Sequence, residues 1–212
     1  MSKSFKTNAV RGPINAWIFK ALAGYMDRLF GSTKRKLFKD HPGTIVEIGP
    51  GAGANMRYYR PGTRVIAIEP NSHMHPNLRK TATKYGMHLK LKSLAGEAID
   101  LPDNSFDFVV CTLVLCSVEE PLICLQQIKR ILKPSGTFVF LEHVKAPEKS
   151  VLAFIQNLIH QPWYWFFEGC HTNRDTGLLL HAAGFSHLEL QEYNLYSPFI
   201  PIIPQICGKA IK

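Results

Sequence analysis

The chain has 212 residues and a mass of 23.9 kDa, with 46 % apolar and 19 % charged residues. That balance excludes a disordered chain and fits one domain with a core on both faces of a sheet. The net charge of +9 is concentrated at the start: residues 1–39 hold nine basic residues (Lys3, Lys6, Arg11, Lys20, Arg28, Lys34, Arg35, Lys36, Lys39) against the single acid Asp27. No nucleic-acid-binding motif accompanies them, so the segment reads as a contact for an anionic membrane surface or as simply solvated, not as a nucleic-acid site.

In chain order, residues 1–40 form a basic, amphipathic helical segment. Pro13 opens a helical pattern in which Ile14, Trp17, Ile18, Ala21, Leu22, Tyr25 and Leu29 share a face. No apolar run reaches the roughly 20 residues of a membrane span, and Lys20, Asp27 and Arg28 interrupt residues 14–30 as a signal-peptide core. The Arg/Lys-rich, acid-poor start is also compatible with a mitochondrial transit peptide. Five Cys without CxxC pairs, and no secretory signal, point to reduced thiols and a cytoplasmic setting, with peripheral contact on a membrane's cytosolic face as the variant.

Residues 41–212 alternate strands and helices, the pattern of parallel βαβ units. Strands are expected at 44–49, 63–69, 87–94, 106–111 and 137–143, and helices at 52–59, 72–85 and 120–132. Ser117 with Glu120, and Thr172 with Asp175, have capping-box spacing; Pro134 with Gly136 and, later, Gly184 mark helix ends. A helix from Ser150 runs into the aromatic stretch 163–167. Two last strands, 186–193 and 205–211, suit a closing hairpin on an otherwise parallel sheet. The expected fold class is α/β, a doubly wound, seven-stranded, mostly parallel sheet with an antiparallel last strand.

The strongest chemical signal is Val46-Glu47-Ile48-Gly49-Pro50-Gly51-Ala52-Gly53-Ala54-Asn55 between a β-branched strand and a helix. Glycines there let the backbone turn sharply and a ligand approach it closely. Glu69 follows at the end of the second strand, where a carboxylate can accept both hydroxyls of a ribose. Gly49-x-Gly51-x-x-Ala54 alone also satisfies the relaxed nicotinamide dinucleotide fingerprint, so a nicotinamide-dependent oxidoreductase is the rival of another class. Glu47 before the first glycine, the GxGxG rhythm through Gly53, Ala95-Gly96-Glu97, and Leu101-Pro102 through Asp107 favour the other reading.

Together with Lys133-Pro134-x-Gly136, these residues resemble the class I S-adenosylmethionine-dependent methyltransferases, in order across residues 44–143. The resemblance implies that Gly49, Gly51 and Gly53 wrap the methionine part of the cofactor, and that Glu47, Asn55 and Pro70 are also among the cofactor-binding residues. It implies that Glu69 holds the ribose, that Gly96 and Glu97 lie beside the adenine, and that Thr112 and Leu113 floor the pocket. A closer resemblance, carried by Cys111 to Val118, Glu142-His143-Val144, Pro162-Trp163, Phe167 to Cys170 and Gly208 to Lys212, is to the methyltransferase-like thiol S-methyltransferases. Those relatives methylate small alkyl thiols and sit on endoplasmic reticulum or lipid-droplet membranes through a longer hydrophobic anchor. The implied reaction is methyl transfer to a small lipophilic acceptor, a thiol before an amine, hydroxyl or ring carbon.

His143, at the carboxyl end of the fifth strand, is the candidate base, with Glu142 or another carboxylate orienting its ring. The aromatic run 163–167 and the Pro-rich loop 196–204 are expected to roof the acceptor pocket, and the N-terminal helix to act as lid, membrane contact or both. His73 and His75 lie near an acid, but no four-ligand spacing completes a metal site.

Overall fold

The computed structural model describes residues 10–212; Lys3 and Lys6 of the basic run fall outside the described residues. The seven strands are β1 (Thr44–Ile48), β2 (Arg64–Ile68), β3 (His88–Lys92), β4 (Phe106–Thr112), β5 (Leu132–His143), β6 (His187–Asn194) and β7 (Pro204–Ile211). They form one sheet in the order β3-β2-β1-β4-β5-β7-β6, with β7 antiparallel to both of its neighbours and the other pairings parallel. The expected closing hairpin is β6–β7.

Because side chains alternate along a strand and both faces are covered, adjacent apolar residues enter different cores. Val46, Val109, Phe138 and Phe140 pack with Leu125 and Ile128 of helix α4 (Pro121–Ile131). Ile45, Val65, Val110 and Val139 face the other way. They pack with Leu78 of α3 (His75–Lys84) and with Phe38, the last residue of an N-terminal helix.

That N-terminal segment is two helices, not one: α1 (Arg11–Ala21) and α2 (Ala23–Phe38), separated at Leu22. The apolar face read across both does not face the core at α1, where Trp17 is exposed. The remaining helices are α5 (Val151–Phe166), capped by Ser150 Oγ accepting the Ala153 N–H, and α6 (Thr176–Ala182).

Local readings differ in four places. The expected helix at 52–59 is a set of turns ending in one 3-10 turn, Met56–Tyr58. Gly51 and Gly53 take positive φ, incompatible with a right-handed helix, and the Asn55 side chain is drawn away to other partners. Ser117 does not cap α4; the N-cap is Glu120, whose own N–H donates to Glu97 Oε1. Thr172 does not cap α6; Asp175 does, accepting the Leu178 N–H, while the Thr172 hydroxyl donates to the Gln156 carbonyl. Strand β5 starts at Leu132, not Thr137, with a register shift on β4 that expels Lys133 to Gly136 as an irregularity.

Candidate active site

A cavity of about 950 Å³ opens at the carboxyl ends of β1, β2 and β4. This is the crevice that parallel α/β sheets present where the strand order reverses. Gly49, Gly51, Gly53, Asn55, Glu69, Pro70, Gly96, Glu97, Thr112 and Leu113 all line it. Residues scattered over 65 positions of sequence thus meet around one volume, because each ends a strand or begins the loop after it.

The glycine loop is shaped by contact as well as by torsion. Gly49 has φ +61°, and a Cβ there would lie 2.4 Å from Val114 Cγ2, so no side chain fits without displacing the β4 exit loop. Leu113, on that same exit, is itself left-handed with φ +57°, held by its N–H to the Leu141 carbonyl at 2.8 Å. A branched residue in that region is a strained position, and it lies on the pocket floor.

Glu47 does not line the cavity. It lies beneath the loop, buried, where Oε1 accepts the Asn55 Nδ2 amide at 2.7 Å and Oε2 the Tyr59 hydroxyl at 3.1 Å. The same Asn55 nitrogen donates to Thr112 Oγ1 at 2.9 Å. Asn55 Oδ1 is then left as a buried acceptor with no partner among the described residues. Burial pushes the Glu47 carboxyl up to about 7, against the pull of Asn55 and Tyr59. Glu47 therefore acts on the cavity through Asn55.

Glu69, 5 % exposed, is held by backbone donors: Gly51 N–H to Oε2 at 2.8 Å and Asn71 N–H to Oε1 at 2.9 Å. Burial raises its pKa, and these two bonds oppose the rise. Asn71 continues across the cavity mouth, its Nδ2 donating to Glu168 Oε2 at 3.0 Å. Phe167 and Glu168, on the loop after α5, complete that wall.

Three wall residues come from α2: Ala23, Met26 and Lys34. Asp27 ties this helix to the segment after the glycine loop, through Arg57 at 3.0 Å and the Tyr58 hydroxyl. Lys34 was visible in the sequence only as part of a charge run. It is 6 % exposed, its ammonium 5.8 Å from the Phe30 ring centroid, with no ion pair among the described residues. Burial brings its pKa down to about 8, with Glu47 pulling the other way.

Other expectations are corrected. Of the aromatic run 163–167 only Phe167 reaches the cavity, and no residue of loop 196–204 does. Trp165 is exposed and Trp163 turns its N–H to Cys170 Sγ at 3.3 Å. His143 is also outside the lining: it is buried, with Nε2 3.1 Å from Cys170 Sγ. Glu142 does not orient that ring. Consecutive strand residues point to opposite faces, and Glu142 Oε1 instead accepts the N–H groups of Val114 and Leu115 at 3.0 and 3.2 Å.

These features fit S-adenosylmethionine. The glycine turn leaves space that a Cβ at Gly49 would close, a carboxylate stands at the second strand tip, and Asn55 Oδ1 is an unused acceptor beside the loop. Comparison with known proteins agrees. A family described as a methyltransferase domain matches residues 46–140. Thiol S-methyltransferase TMT1B of Rattus norvegicus is 39 % identical over 196 residues, covering 85 % of this chain and 79 % of the relative. The Homo sapiens protein of that name is 35 % identical over 208 residues, 92 % of this chain and 85 % of the other. In fold, a SAM-dependent methyltransferase from Aquifex aeolicus superposes with a TM-score of 0.64 at 19 % identity, over 94 % of this chain and 97 % of that one. The chain belongs to the thiol S-methyltransferase family of class I S-adenosylmethionine-dependent methyltransferases.

Proposed function

We propose that the protein methylates the sulfur of a small lipophilic thiol. The observation that carries this reading is the 39 % identity, over most of both chains, to a relative named for that reaction. The apolar wall of Met26, Val114 and Phe167 supports a lipophilic acceptor.

When bound, S-adenosylmethionine supplies an electrophilic methyl on a sulfonium, so the reaction is an in-line displacement with a neutral leaving group. The protein's part is alignment and exclusion of water. Glu69 is placed to accept the ribose hydroxyls. Asn55 Oδ1 is placed to accept from the amino group of the methionine portion, and Lys34, on the glycine-loop side, to pair with its carboxylate. Gly96, Glu97 and Ile123 border the region assigned to the adenine. A free thiol with a pKa of about 8.5 is only a few per cent thiolate at neutral pH.

The test is incubation with methyl-labelled cofactor and a panel of alkyl thiols, amines and phenols, with products identified by mass spectrometry. S-methylated thiols support the reading; methylation of amines or phenols alone overturns the acceptor.

We also propose that the outer face of α1 and α5 rests on an anionic membrane surface. Trp17, Val151, Phe154, Leu158 and Trp165 are 62–77 % exposed, and Arg11 stacks over the Trp165 ring at 5.3 Å. Asn15 Nδ2 binds the Phe166 carbonyl at 2.9 Å, which joins the two helices into one face. Exposed aromatic and aliphatic residues beside a basic segment have the composition of an interfacial contact. No described helix is long and apolar enough to cross a membrane.

A further inference from the structure

Cys116, His143 and Cys170 come from three separate places: the turn after β4, the last residue of β5 and the loop after α5. Their ligand atoms nevertheless lie within 4.8 Å of one another, and all three residues are buried. The two sulfurs are 3.6 Å apart, and Cys170 Sγ is 3.1 Å from His143 Nε2. A disulfide would need about 2.0 Å. Sulfurs held at about 2.3 Å from a tetrahedral zinc ion stand about 3.8 Å apart, and a sulfur and an imidazole nitrogen slightly less. The sulfur pair already has that spacing, and the sulfur–nitrogen pair would open by a few tenths of an ångström to take the ion.

We propose that Cys116, Cys170 and His143 bind one zinc(II) ion. Two thiolates and a neutral imidazole suit this soft-to-borderline d10 ion, and together they cancel its charge, as a buried site requires. Three protein donors leave the fourth corner of the tetrahedron to a water or other small ligand. Donor and cationic groups stand around the two sulfurs, while Cys170 and burial push the Cys116 thiol up, so that its ionisation depends on the ion. Trp163 Nε1 donates to Cys170 Sγ at 3.3 Å, and the Arg174 guanidinium, anchored on the Leu115 and Val118 carbonyls at 2.5 and 2.6 Å, stands beside both cysteines.

The neutral metal-free alternative, a Cys170 thiol donating to His143 Nε2 at 3.1 Å, is separated from zinc by the titration below; the ionic one is a Cys170 thiolate paired with a His143 imidazolium. His143 Nδ1 argues against it, being buried with no hydrogen-bond partner among the described residues. An imidazolium would leave a charged N–H unsatisfied there, whereas a neutral ring, bound through Nε2 to the ion or to the thiol, leaves only a neutral one, the smaller penalty. The loops carrying Cys116 and Cys170 also supply Ser117, Val118, Phe167 and Glu168 to the cavity wall. The ion would therefore clamp two sides of the active site together.

The full chain, reduced and stripped with chelator under anaerobic conditions, is titrated with cobalt(II) and then zinc(II). One equivalent of cobalt is expected, with thiolate charge-transfer and tetrahedral d–d absorption that zinc abolishes. Cys116→Ser and Cys170→Ser should each weaken binding at least about 100-fold, while Cys207→Ala, outside the cluster, binds as the parent does. Because a serine variant can fail to fold, zinc X-ray absorption of the unaltered protein gives an independent reading: two sulfurs and two nitrogen or oxygen donors around the ion. Absence of a tight equivalent, a shell without sulfur, or a Cys116–Cys170 disulfide in protein that takes no metal after reduction overturns the proposal.

Discussion

The Gly51 N–H donates to the Glu69 carboxylate at 2.8 Å, joining the turn after β1 to the tip of β2. The acid expected to hold the ribose is therefore already fixed by the loop expected to hold the methionine portion. The two halves of the cofactor site cannot move independently. Asn71 holds the second oxygen, so the carboxylate has little rotational freedom to lose on binding, which favours affinity.

Glu69→Ala should raise the dissociation constant for S-adenosylmethionine about 10- to 100-fold, the loss of charge-assisted hydrogen bonds to two hydroxyls. Calorimetry measures it, and circular dichroism checks that the fold survives. An unaltered dissociation constant in a folded variant would remove Glu69 from the site.

Lys34 is a buried cation whose burial disfavours its charge, bringing its pKa to about 8. A folded-state value below the unfolded one means that its contribution to stability is present above the unfolded pKa and is lost as pH falls through about 8. Lys34→Met should therefore stabilise the cofactor-free protein at neutral pH, by on the order of 2 kcal/mol, a melting-temperature rise of about 5 °C. It should at the same time weaken cofactor binding at least about 10-fold. In the parent, affinity should fall between about pH 7 and about pH 9 as the ammonium deprotonates, with a flatter profile in the variant. Equal slopes for the two proteins would show that Lys34 does not meet the cofactor.

Glu47 titrates in the opposite sense. Its folded pKa is raised to about 7 by burial, so its contribution to stability is complete below the unfolded value and is lost as pH rises through about 7. Glu47→Gln preserves an acceptor for Asn55 and removes that loss. The variant should match the parent near pH 5 and exceed it near pH 8 by on the order of 2 kcal/mol. Thermal melts across that range decide the point, and a constant difference at every pH would show that Glu47 does not titrate there.

Much of this site was legible because its residues sit at fixed places in a repeating unit. A glycine turn after the first strand and an acid after the second are local patterns, and the β/α alternation says which ends meet. Lys34 was not read as a site residue because charge runs normally face solvent. A signal was nonetheless present: Phe30, Lys34 and Phe38 recur every four residues, so Lys34 shares the face that carries two fully buried rings, while Arg35 and Lys36 fall off it. The Cys116–His143–Cys170 cluster had no such signal. Its members lie 27 residues apart in sequence at each step, on separate loops, and only the packing of the β4 exit against the loop after α5 brings them together. His143 was correctly placed at a strand's carboxyl end, but strand position does not say which face a side chain takes. One residue of alternation sends it to Cys170 instead of the cavity.

The outer face of α5 yields the last prediction. Val151, Phe154, Leu158 and Trp165 project from one side of the helix at spacings of three, four and seven, with none of them in the cofactor cavity. Replacing Phe154 and Leu158 together with Glu removes two large apolar contacts and adds two charges that an anionic surface repels. The double variant should stay in the supernatant when sedimented with phosphatidylserine-containing vesicles, conditions under which the parent pellets. Its affinity for S-adenosylmethionine should not change, because the substituted side chains point away from the cavity. Added salt should release the parent in part, since the basic residues contribute by charge and the aromatic ones do not. Equal pelleting of parent and variant would take the membrane off this face, and a parent that runs as a dimer in gel filtration while the variant is monomeric would assign the face to a second copy of the chain.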